Sequence, residues 1–277
     1  MNQFYGSVAV VTGGGSGIGA AICRALAGRG MKIAVADIDL AGAEDTVRSI
    51  RDAKGTAFAH QADVTDDGSM ARLAEAVRDT YGSCHLALAN AGVLMLGRLE
   101  ERTWQDWQWV LSVNLFGTIR TVQTFLPMLR ANPGNAHIVI TGSMAGLLAG
   151  CAGKGIYNTS KHALMAYGET LREELADEGI GVSLLLPGGV KTRIVDSGRN
   201  RPADLGQSKI SDADMKMVIR GLGGSEETVA PDYAVRNLIA SIEQNRPWIV
   251  THDNPQRAKI EARFAGILEA FDRAKDN

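Results

Sequence analysis

The chain has 277 residues, 45% of them hydrophobic, which is enough to bury one core in a single domain over residues 1–277. Its 29 basic and 31 acidic residues are nearly balanced and scattered, so we expect no nucleic-acid partner. The sequence lacks an uninterrupted run of about 18 apolar residues, which argues against a membrane span.

Short runs rich in Val and Ile alternate along the chain with segments of helical period. We predict strands over residues 8–11, 32–36, 57–60, 86–89, 137–141, 182–186 and 248–251. Strands that are separated by helices form right-handed crossovers in a parallel sheet with helices on both faces. The pattern therefore predicts an α/β fold of the Rossmann-like, doubly wound kind, with a seven-stranded parallel sheet.

The alternation is interrupted after the sixth strand. Residues 192–228 form a polar stretch with one short helix predicted over Asp212–Leu222, and we expect this stretch to be a substrate-binding insertion or lid. A helix is predicted next over 226–243. The segment 255–274 is predicted to form a charged, amphipathic C-terminal helix.

A glycine-rich turn, Thr-Gly-Gly-Gly-Ser-Gly-Ile-Gly over residues 12–19, follows the first strand. Glycines let the backbone approach a pyrophosphate, and the N–H groups and dipole of the next helix attract the anion. Glycines also shorten ordinary loops, but this turn stands at the first strand-to-helix junction. We therefore predict that a dinucleotide binds at Gly13, Ser16, Gly17, Ile18 and Gly19.

Asp37 ends the second strand, 18 positions after Gly19. A carboxylate there accepts hydrogen bonds from the adenosine ribose hydroxyls and repels a 2′-phosphate. Ile38 follows it and the turn carries Ser16, so no cation is evident for that phosphate. NAD is therefore the expected cofactor in preference to NADP. The alternative is that Asp37 is an ordinary loop or cap residue.

Two further groups follow strands at the carboxyl edge of the sheet, where ligands bind in open α/β folds. Asp63 and Val64 follow the third strand, and we expect Asp63 to meet the adenine amine. Asn90, Ala91 and Gly92 follow the fourth strand. Asn90 either lines the site or braces the neighbouring strands.

Tyr157 and Lys161 are four residues apart in a predicted helix and therefore share one face. A phenol with a pKa of about 10 is a poor base at neutral pH, but a nearby ammonium stabilises its phenolate. This spacing also arises by chance, so the placement of two other residues matters. Ser143 lies just past the fifth strand, and Asn114 lies in the preceding long helix. Ser143 either donates to a substrate oxygen or is an ordinary turn serine.

Together these motifs resemble the short-chain dehydrogenase/reductase family. The resemblance runs from residue 8 to residue 192 and rests on residues 12–19, Asn90-Ala91-Gly92, Asn114, Ser143, Tyr157, Lys161 and residues 187–192. It implies that Tyr157 is the general acid/base and that Lys161 holds the nicotinamide ribose and lowers the pKa of Tyr157. It further implies that Ser143 orients the substrate and that Asn114 anchors a proton-relay water.

The resemblance also implies that Pro187, Gly188, Val190 and Thr192 border the nicotinamide. Ser143 and Tyr157 are separated by 13 residues, one more than in many members of the family. The stretch after Pro187 is long, like that of subgroups that act on bulky or aromatic alcohols.

The expected function is therefore NAD-dependent interconversion of a lipophilic or aromatic secondary alcohol and its ketone. The candidate pocket residues are Leu94, Met95, residues 144–148, Leu205, Met215, Met217, Val218 and Leu222. Methionines at helical spacing are equally common as core filler. A non-catalytic dinucleotide-binding sensor or scaffold is one alternative, and a dehydratase or epimerase with no net redox change is another.

Other expectations concern location, metals and assembly. The three cysteines are far apart and no signal peptide is recognisable, so we expect a cytoplasmic protein. None of the five histidines has metal-ligand spacing, and we expect no metal. The family resemblance implies a homodimer or homotetramer built from the helices that carry Asn114 and Tyr157. Trp104, Trp107 and Trp109 are expected to pack rather than to catalyse.

Overall fold

The computed structural model describes residues 1–148, 150–222, 228–253 and 256–275. Within these ranges, seven strands form one parallel sheet. The strands are β1 (Val8–Thr12), β2 (Lys32–Asp37), β3 (Thr56–Gln61), β4 (Leu86–Ala89), β5 (Ala136–Thr141), β6 (Ile180–Leu186) and β7 (Trp248–Val250). Each predicted strand is present, with its ends shifted by no more than two residues.

The strands lie in the order β3-β2-β1-β4-β5-β6-β7, and all neighbouring pairs are parallel. The chain therefore builds the sheet outward from β1 in one direction and then, from β4, in the other. Such a reversal leaves a crevice at the carboxyl ends of the two central strands. The predicted Rossmann-like, doubly wound fold is confirmed.

Ten α-helices occur in the described residues. They are α1 (Gly17–Ala27), α2 (Leu40–Asp52), α3 (Asp67–Tyr81), α4 (Trp104–Leu111), α5 (Gly117–Arg130), α6 (Gly155–Glu174), α7 (Asp212–Leu222), α8 (Pro231–Ala234), α9 (Leu238–Glu243) and α10 (Gln256–Arg273). No helix in the described part of the chain combines the length and hydrophobicity needed to cross a membrane.

Both faces of the sheet are buried, and β1 shows how. Val8 and Val10 point into the core that α3, α5 and α6 cover. Ala9 and Val11 point to the opposite face, into the core that α1, α2 and α9 cover. Because alternate residues of a strand face opposite sides, a strand covered on both sides is apolar throughout. This burial explains why the strand appears in the sequence as a continuous apolar run.

The single helix predicted over 226–243 is wrong. Residues 226 and 227 lie outside the described residues, and the structure has two short helices, α8 and α9, in the remainder. Proline begins α8 because the residue before a proline avoids the helical conformation, and Ala230 is extended with ψ of 149°. A turn over 235–237 separates the two helices.

The other two helices predicted near the C-terminus are present. The predicted helix over Asp212–Leu222 is α7. The predicted helix over 255–274 is α10, which covers Gln256–Arg273, while Pro255 lies outside the described residues.

Candidate active site

A cleft of about 440 Å³ opens at the carboxyl ends of the strands. All the cofactor-binding residues predicted from the sequence line it: Gly13, Ser16, Gly17, Ile18, Gly19, Asp37, Ile38, Asp63, Val64, Asn90, Ala91, Gly92, Tyr157, Lys161, Pro187, Gly188, Val190 and Thr192. Ser143 lines it too. Of the four predicted catalytic residues, Asn114 alone does not.

The glycine turn between β1 and α1 forms one wall of this cleft. Gly13 has a φ of 65°, and a Cβ on it would lie 2.8 Å from Cα of Ala91. Gly17 has a φ of 52°, and a Cβ there would lie 2.9 Å from Cγ2 of Thr192. Only glycine allows this backbone conformation and this close approach. The side chain of Ser16 does not cap α1, so the first turn of that helix faces the cleft without a side-chain acceptor.

Asp37 lies at the end of β2 and is held in place by the backbone. Its Oδ2 accepts a hydrogen bond from the Gly15 N–H at 2.8 Å, and its Oδ1 accepts one from the Asp39 N–H at 3.0 Å. Burial raises the pKa of Asp37, while these two hydrogen bonds and the charge of Arg199 oppose the rise. The result is a fixed acceptor at the edge of the cleft.

Asn90 braces three strands. Its Nδ2 donates to the main-chain oxygens of Thr12 and Gly13, at 3.1 Å each, and its Oδ1 accepts from Thr141 Oγ1 at 3.1 Å. These contacts join the ends of β1, β4 and β5. The bracing alternative is therefore observed, and Asn90 also borders the cleft.

Tyr157 and Lys161 lie in the first turns of α6, and both side chains are buried. Nζ of Lys161 is 5.6 Å from the centre of the Tyr157 ring and donates to the main-chain oxygen of Thr141 at 2.9 Å. Burial lowers the pKa of Lys161 to about 8. The predicted pair is thus one buried unit at the end of β5.

Ser143 begins a short 3₁₀ turn, Met144–Gly146, immediately after β5. Its Oγ accepts from the Ala145 N–H at 3.1 Å and donates to the main-chain oxygen of Pro187 at 3.4 Å. The hydroxyl therefore caps a turn and also faces the cleft. Both readings of this serine fit the structure.

Asn114 lies in a π-helical turn, Ser112–Phe116, which joins α4 to α5. Its Oδ1 accepts from the Val93 N–H at 2.8 Å, and its Nδ2 donates to the Val93 oxygen and to Ser160 Oγ, at 3.0 Å each. Both amide hydrogens are thus used within the protein. The residue still lies close to the site, because a Cβ on Gly92 would be 3.5 Å from its Oδ1 and 3.8 Å from Nζ of Lys161.

We use the term lid for residues 192–222 and residue 228, the described part of the predicted insertion. The lid packs on the part of the cleft that contains Tyr157. Met215 and Val218 of α7 join an apolar cluster that contains Leu94 and Tyr157. The apolar side chains of Met215 and Val218 therefore lie in the same cluster as the Tyr157 side chain.

An ion pair fixes the lid to the body. Nη1 of Arg201 lies 2.8 Å from Oδ1 of Asp106, and the two side chains are only 4% and 1% exposed. Arg201 also lies over the ring of Trp109, with its guanidinium carbon 5.2 Å from the ring centre. Burial tends to raise the pKa of Asp106, but hydrogen bonds from Thr103 and Ser208 and the charge of Arg201 outweigh it and lower that pKa.

The family follows from comparison with known proteins. A family model described as short chain dehydrogenase matches residues 7–203. The chain belongs to the short-chain dehydrogenase family. The predicted resemblance is confirmed, and with it membership of a family of oxidoreductases.

Two curated relatives of this dehydrogenase are informative. The C alpha-dehydrogenase of Sphingobium sp. (strain NBRC 103272 / SYK-6) is 30% identical over 98% of this chain and 88% of its own length. The cyclohexanol dehydrogenase of Acinetobacter sp. (strain SE19) is 34% identical over 70% of this chain and 77% of its own length.

Two solved structures share its fold. A short-chain dehydrogenase/reductase from Burkholderia phymatum in complex with NAD has a TM-score of 0.89 and 34% identity, covering 98% of this chain and 97% of that one. A short-chain dehydrogenase from Burkholderia cenocepacia J2315 in complex with NADP has a TM-score of 0.73 and 28% identity, covering 90% and 97%.

The predicted substrate pocket of the dehydrogenase is correct in part. Leu94, Met144, Ala145, Leu148, Met215 and Val218 line the cleft. Met95, Gly146, Leu147, Leu205 and Met217 do not line it, and the side chain of Leu222 lies outside the described residues. Leu205 packs beside Trp109 in a separate cluster, and Met217 packs against Gly153. Helical period predicts which side of α7 is apolar but not what that side faces.

Several lining residues were missed by sequence reasoning: Leu96, Trp109, Lys154, Ile194, Arg199 and Gln256. Trp109 packs in the core, as expected, and also borders the cleft. Arg199 is the more consequential omission, because it is a cation in the same cleft as Asp37. No local pattern marks these residues. Ile194, Arg199 and Gln256 reach the cleft through the lid and the C-terminal segment, whereas Leu96, Trp109 and Lys154 reach it from the loop after β4, from α4 and from the start of α6.

Proposed function

We propose that this short-chain dehydrogenase is an NAD-dependent oxidoreductase that interconverts a lipophilic or aromatic secondary alcohol and its ketone. The observation that carries the proposal is one continuous cleft with two different ends. One end has the glycine turn and Asp37, and the other has the buried Tyr157 and Lys161.

The residues of the first end fit a nicotinamide dinucleotide. Gly13 and the residues from Ser16 to Gly19 at the start of α1 form a tight turn, in which added Cβ atoms at Gly13 and Gly17 would collide with Ala91 and Thr192. The N–H groups at the start of α1 suit a pyrophosphate. Asp63 and Val64 border the adenine region in this proposal. Pro187, Gly188, Val190 and Thr192 hold the nicotinamide. When bound, the nicotinamide supplies the group that accepts or returns a hydride.

The preference for NAD rests on Asp37. Its carboxylate is held by two backbone N–H groups, so it cannot swing away from a 2′-phosphate. Arg199 lines the same cleft, and its positive charge favours a 2′-phosphate and therefore NADP; the sequence did not indicate this. Its Nη1 already donates to the main-chain oxygens of Arg193 and Asp196, at 3.0 and 2.8 Å. We therefore assign the discrimination to the fixed carboxylate, in line with the NAD complex of the Burkholderia phymatum relative.

Tyr157 is the proposed general acid/base. Its phenolate removes the hydroxyl proton of the alcohol, and its phenol returns a proton to the carbonyl oxygen in the reverse direction. The ammonium of Lys161, fixed by Thr141, stabilises the phenolate. Ser143 donates a hydrogen bond to the substrate oxygen. Asn114 anchors the water that carries the proton from Lys161 to solvent. This role fits its position, because Oδ1 of Asn114 and Nζ of Lys161 both lie beside Gly92.

The substrate class follows from the lining of the second end. Around the few polar atoms of Ser143 and Tyr157, the cleft is lined by apolar side chains. These are the side chains of Leu94, Leu96, Trp109, Leu148, Met215 and Val218. Such a pocket selects a lipophilic molecule with one reacting oxygen. The relationship to a cyclohexanol dehydrogenase supports a secondary alcohol.

We also propose a reducing, cytoplasmic setting. The three cysteines are free thiols, and Cys23 and Cys84 are buried. Burial raises the pKa of Cys84 to about 12, which keeps that thiol protonated and unreactive.

The test is a substrate panel. Purified protein is mixed with NAD or NADP and with cyclic and aryl-substituted secondary alcohols, and formation of reduced cofactor is followed. Net NADH formation with at least one of these alcohols is expected, with NADP a poorer cofactor. Tight NAD binding without any turnover would favour a sensor or scaffold, and product formation without net NADH would favour a dehydratase or epimerase.

A further inference from the structure

A second cavity, of about 710 Å³, lies beside the cleft. We call it the lid cavity, because residues within 195–210 of the lid supply all of its lining except Leu94 and Met95. Ser143 and Tyr157 line the cleft and do not line this cavity. The proposed reaction therefore gives the lid cavity no role.

One part of its lining is apolar. Leu94 and Met95 are buried, with exposed fractions of 7% and 2%. Ile210 also lines the cavity, and it packs in both of the apolar clusters that join the lid to the body. Such a surface binds the apolar body of a small molecule, because binding removes apolar area from water.

The charged part of the lining is mainly basic. Arg199, Arg201 and Lys209 line the cavity, together with one acidic residue, Asp196. Asp196 is 63% exposed and is shared by Arg193 and Arg199, at 3.6 and 3.7 Å, so it neutralises neither fully. Lys209 is exposed and forms no ion pair within the described part of the chain.

Two further charges lie next to this lining. Asp106 pairs with Arg201. Arg102 lies beside Met95, with its Nη1 3.8 Å from Sδ, and its Nε is buried with no hydrogen-bond partner among the described residues. The charged residues that line the cavity, or that pair or hydrogen-bond with its lining, are thus five cations and two carboxylates: Arg102, Arg193, Arg199, Arg201 and Lys209, with Asp106 and Asp196. This balance favours an anion.

We propose that the lid cavity binds a carboxylate that has an apolar body. Nη1 of Arg199 donates to the main-chain oxygens of Arg193 and Asp196, whereas its Nε and Nη2 form no hydrogen bond with the described residues. These two nitrogens form the planar edge that pairs with both oxygens of a carboxylate. Lys209 supplies a second cation, and the apolar lining at Leu94 holds the body of the ligand.

The lid cavity and the cleft share a wall. Leu94, Val195 and Arg199 line both. Oγ of Ser197, in the same stretch of the lid, accepts from the Leu94 N–H at 3.1 Å. Two sources of the carboxylate fit this arrangement. One is a separate small acid, and the other is the far end of a long alcohol substrate, which rests on the proposed function.

The test measures binding of octanoate by titration calorimetry, with octanamide as the uncharged comparison. Lys209→Gln removes a cation from the lining and Gln207→Glu adds a repelling carboxylate, both at exposed positions that spare the fold. Each variant should weaken octanoate binding about fivefold and leave octanamide binding unchanged. Lys216→Gln is the control, at an exposed lid lysine that lines neither the cleft nor the lid cavity, and it should bind octanoate like the parent chain.

Kinetics separates the two sources. If the ligand is a separate acid, octanoate does not compete with a neutral alcohol of the panel. If it is the far end of the substrate, a secondary alcohol with a terminal carboxylate has a lower KM than its methyl ester, and Lys209→Gln removes this difference with kcat unchanged.

Two results would overturn the proposal: octanoate that binds no more tightly than octanamide, and octanoate that binds equally well to the parent chain and to both cavity variants. Octanoate binding that is weakened by these variants, in a protein that turns over no alcohol, supports the lid cavity and contradicts only the proposed reaction.

Discussion

Lys161 makes stability depend on pH in a way that can be worked out from the structure. Its side chain is 4% exposed, and burial lowers its pKa from 10.5 to about 8. Between these two pH values the folded protein has released a proton that the unfolded chain still binds. Stability rises with pH wherever the unfolded state binds more protons. The free energy of unfolding should therefore rise from about pH 8 to about pH 10.5 because of this one residue.

The size of the effect follows from the shift. The difference between 10.5 and 8 is 2.5 pKa units, and each unit corresponds to about 1.4 kcal/mol, so the gain is about 3–4 kcal/mol. Most of it should appear between about pH 8 and pH 10.5, the two pKa values. Other groups titrate in this range, so the parent chain is compared with Lys161→Met, which keeps a long side chain but no charge.

The assay is urea denaturation followed by circular dichroism at several pH values. The free energy of unfolding of the parent chain should gain most of this ~3–4 kcal/mol relative to Lys161→Met as the pH rises through this window. Lys209→Met, at an exposed lysine, should follow the parent chain. If the curves of the parent and Lys161→Met run parallel, the buried charge does not titrate as described.

Three further predictions concern the cofactor end of the cleft and the ion pair that fixes the lid. Asp37→Ala should weaken NAD binding about tenfold and narrow the preference for NAD over NADP, as measured by titration calorimetry with each cofactor; an unchanged preference would remove Asp37 from this role. Gly13→Ala should abolish dinucleotide binding and leave the far-UV circular dichroism intact, because its Cβ would lie 2.8 Å from Cα of Ala91. Arg201→Met should cost about 3 kcal/mol of unfolding free energy by leaving Asp106 buried without its partner, and adding Asp106→Leu should recover part of the loss; equal stability of parent and Arg201→Met would contradict this.

The sheet could be predicted from the sequence because its signal is local. A strand covered on both faces appears as an apolar run, and β1 and β5 are of this kind. The ends of the strands were less predictable. The strand predicted to begin at residue 182 begins at Ile180 in the structure, because β6 includes Gly181, a residue type that usually weakens a strand. The helix predicted over 226–243 failed because apolar spacing continued past Pro231, where backbone geometry starts a new helix.

The cofactor end could be predicted because each of its groups lies at or just after the end of a predicted strand: the glycine turn after β1, Asp37 at the end of β2, Asp63 after β3 and Asn90 after β4. The residues that later segments bring to the cleft were harder to predict. Arg199 and Gln256 reach the cleft through the lid and the C-terminal segment, and the pairing of Arg201 with Asp106 joins residues far apart in the chain. The residues of the π-helical turn at Asn114 likewise show no pattern that predicts such a turn. Contacts of this kind depend on tertiary packing and have no local signature.

The central claim is that Tyr157 moves the proton of the reaction. The direct measurement compares the rate of NADH formation by Tyr157→Phe with that of the parent chain, using the best secondary alcohol of the panel. Tyr167→Phe, on the same helix, is the control. Turnover by Tyr157→Phe should fall by about a hundred- to ten-thousand-fold, with NAD affinity unchanged and the control active. Turnover close to that of the parent chain would show that the phenol of Tyr157 is not the acid/base.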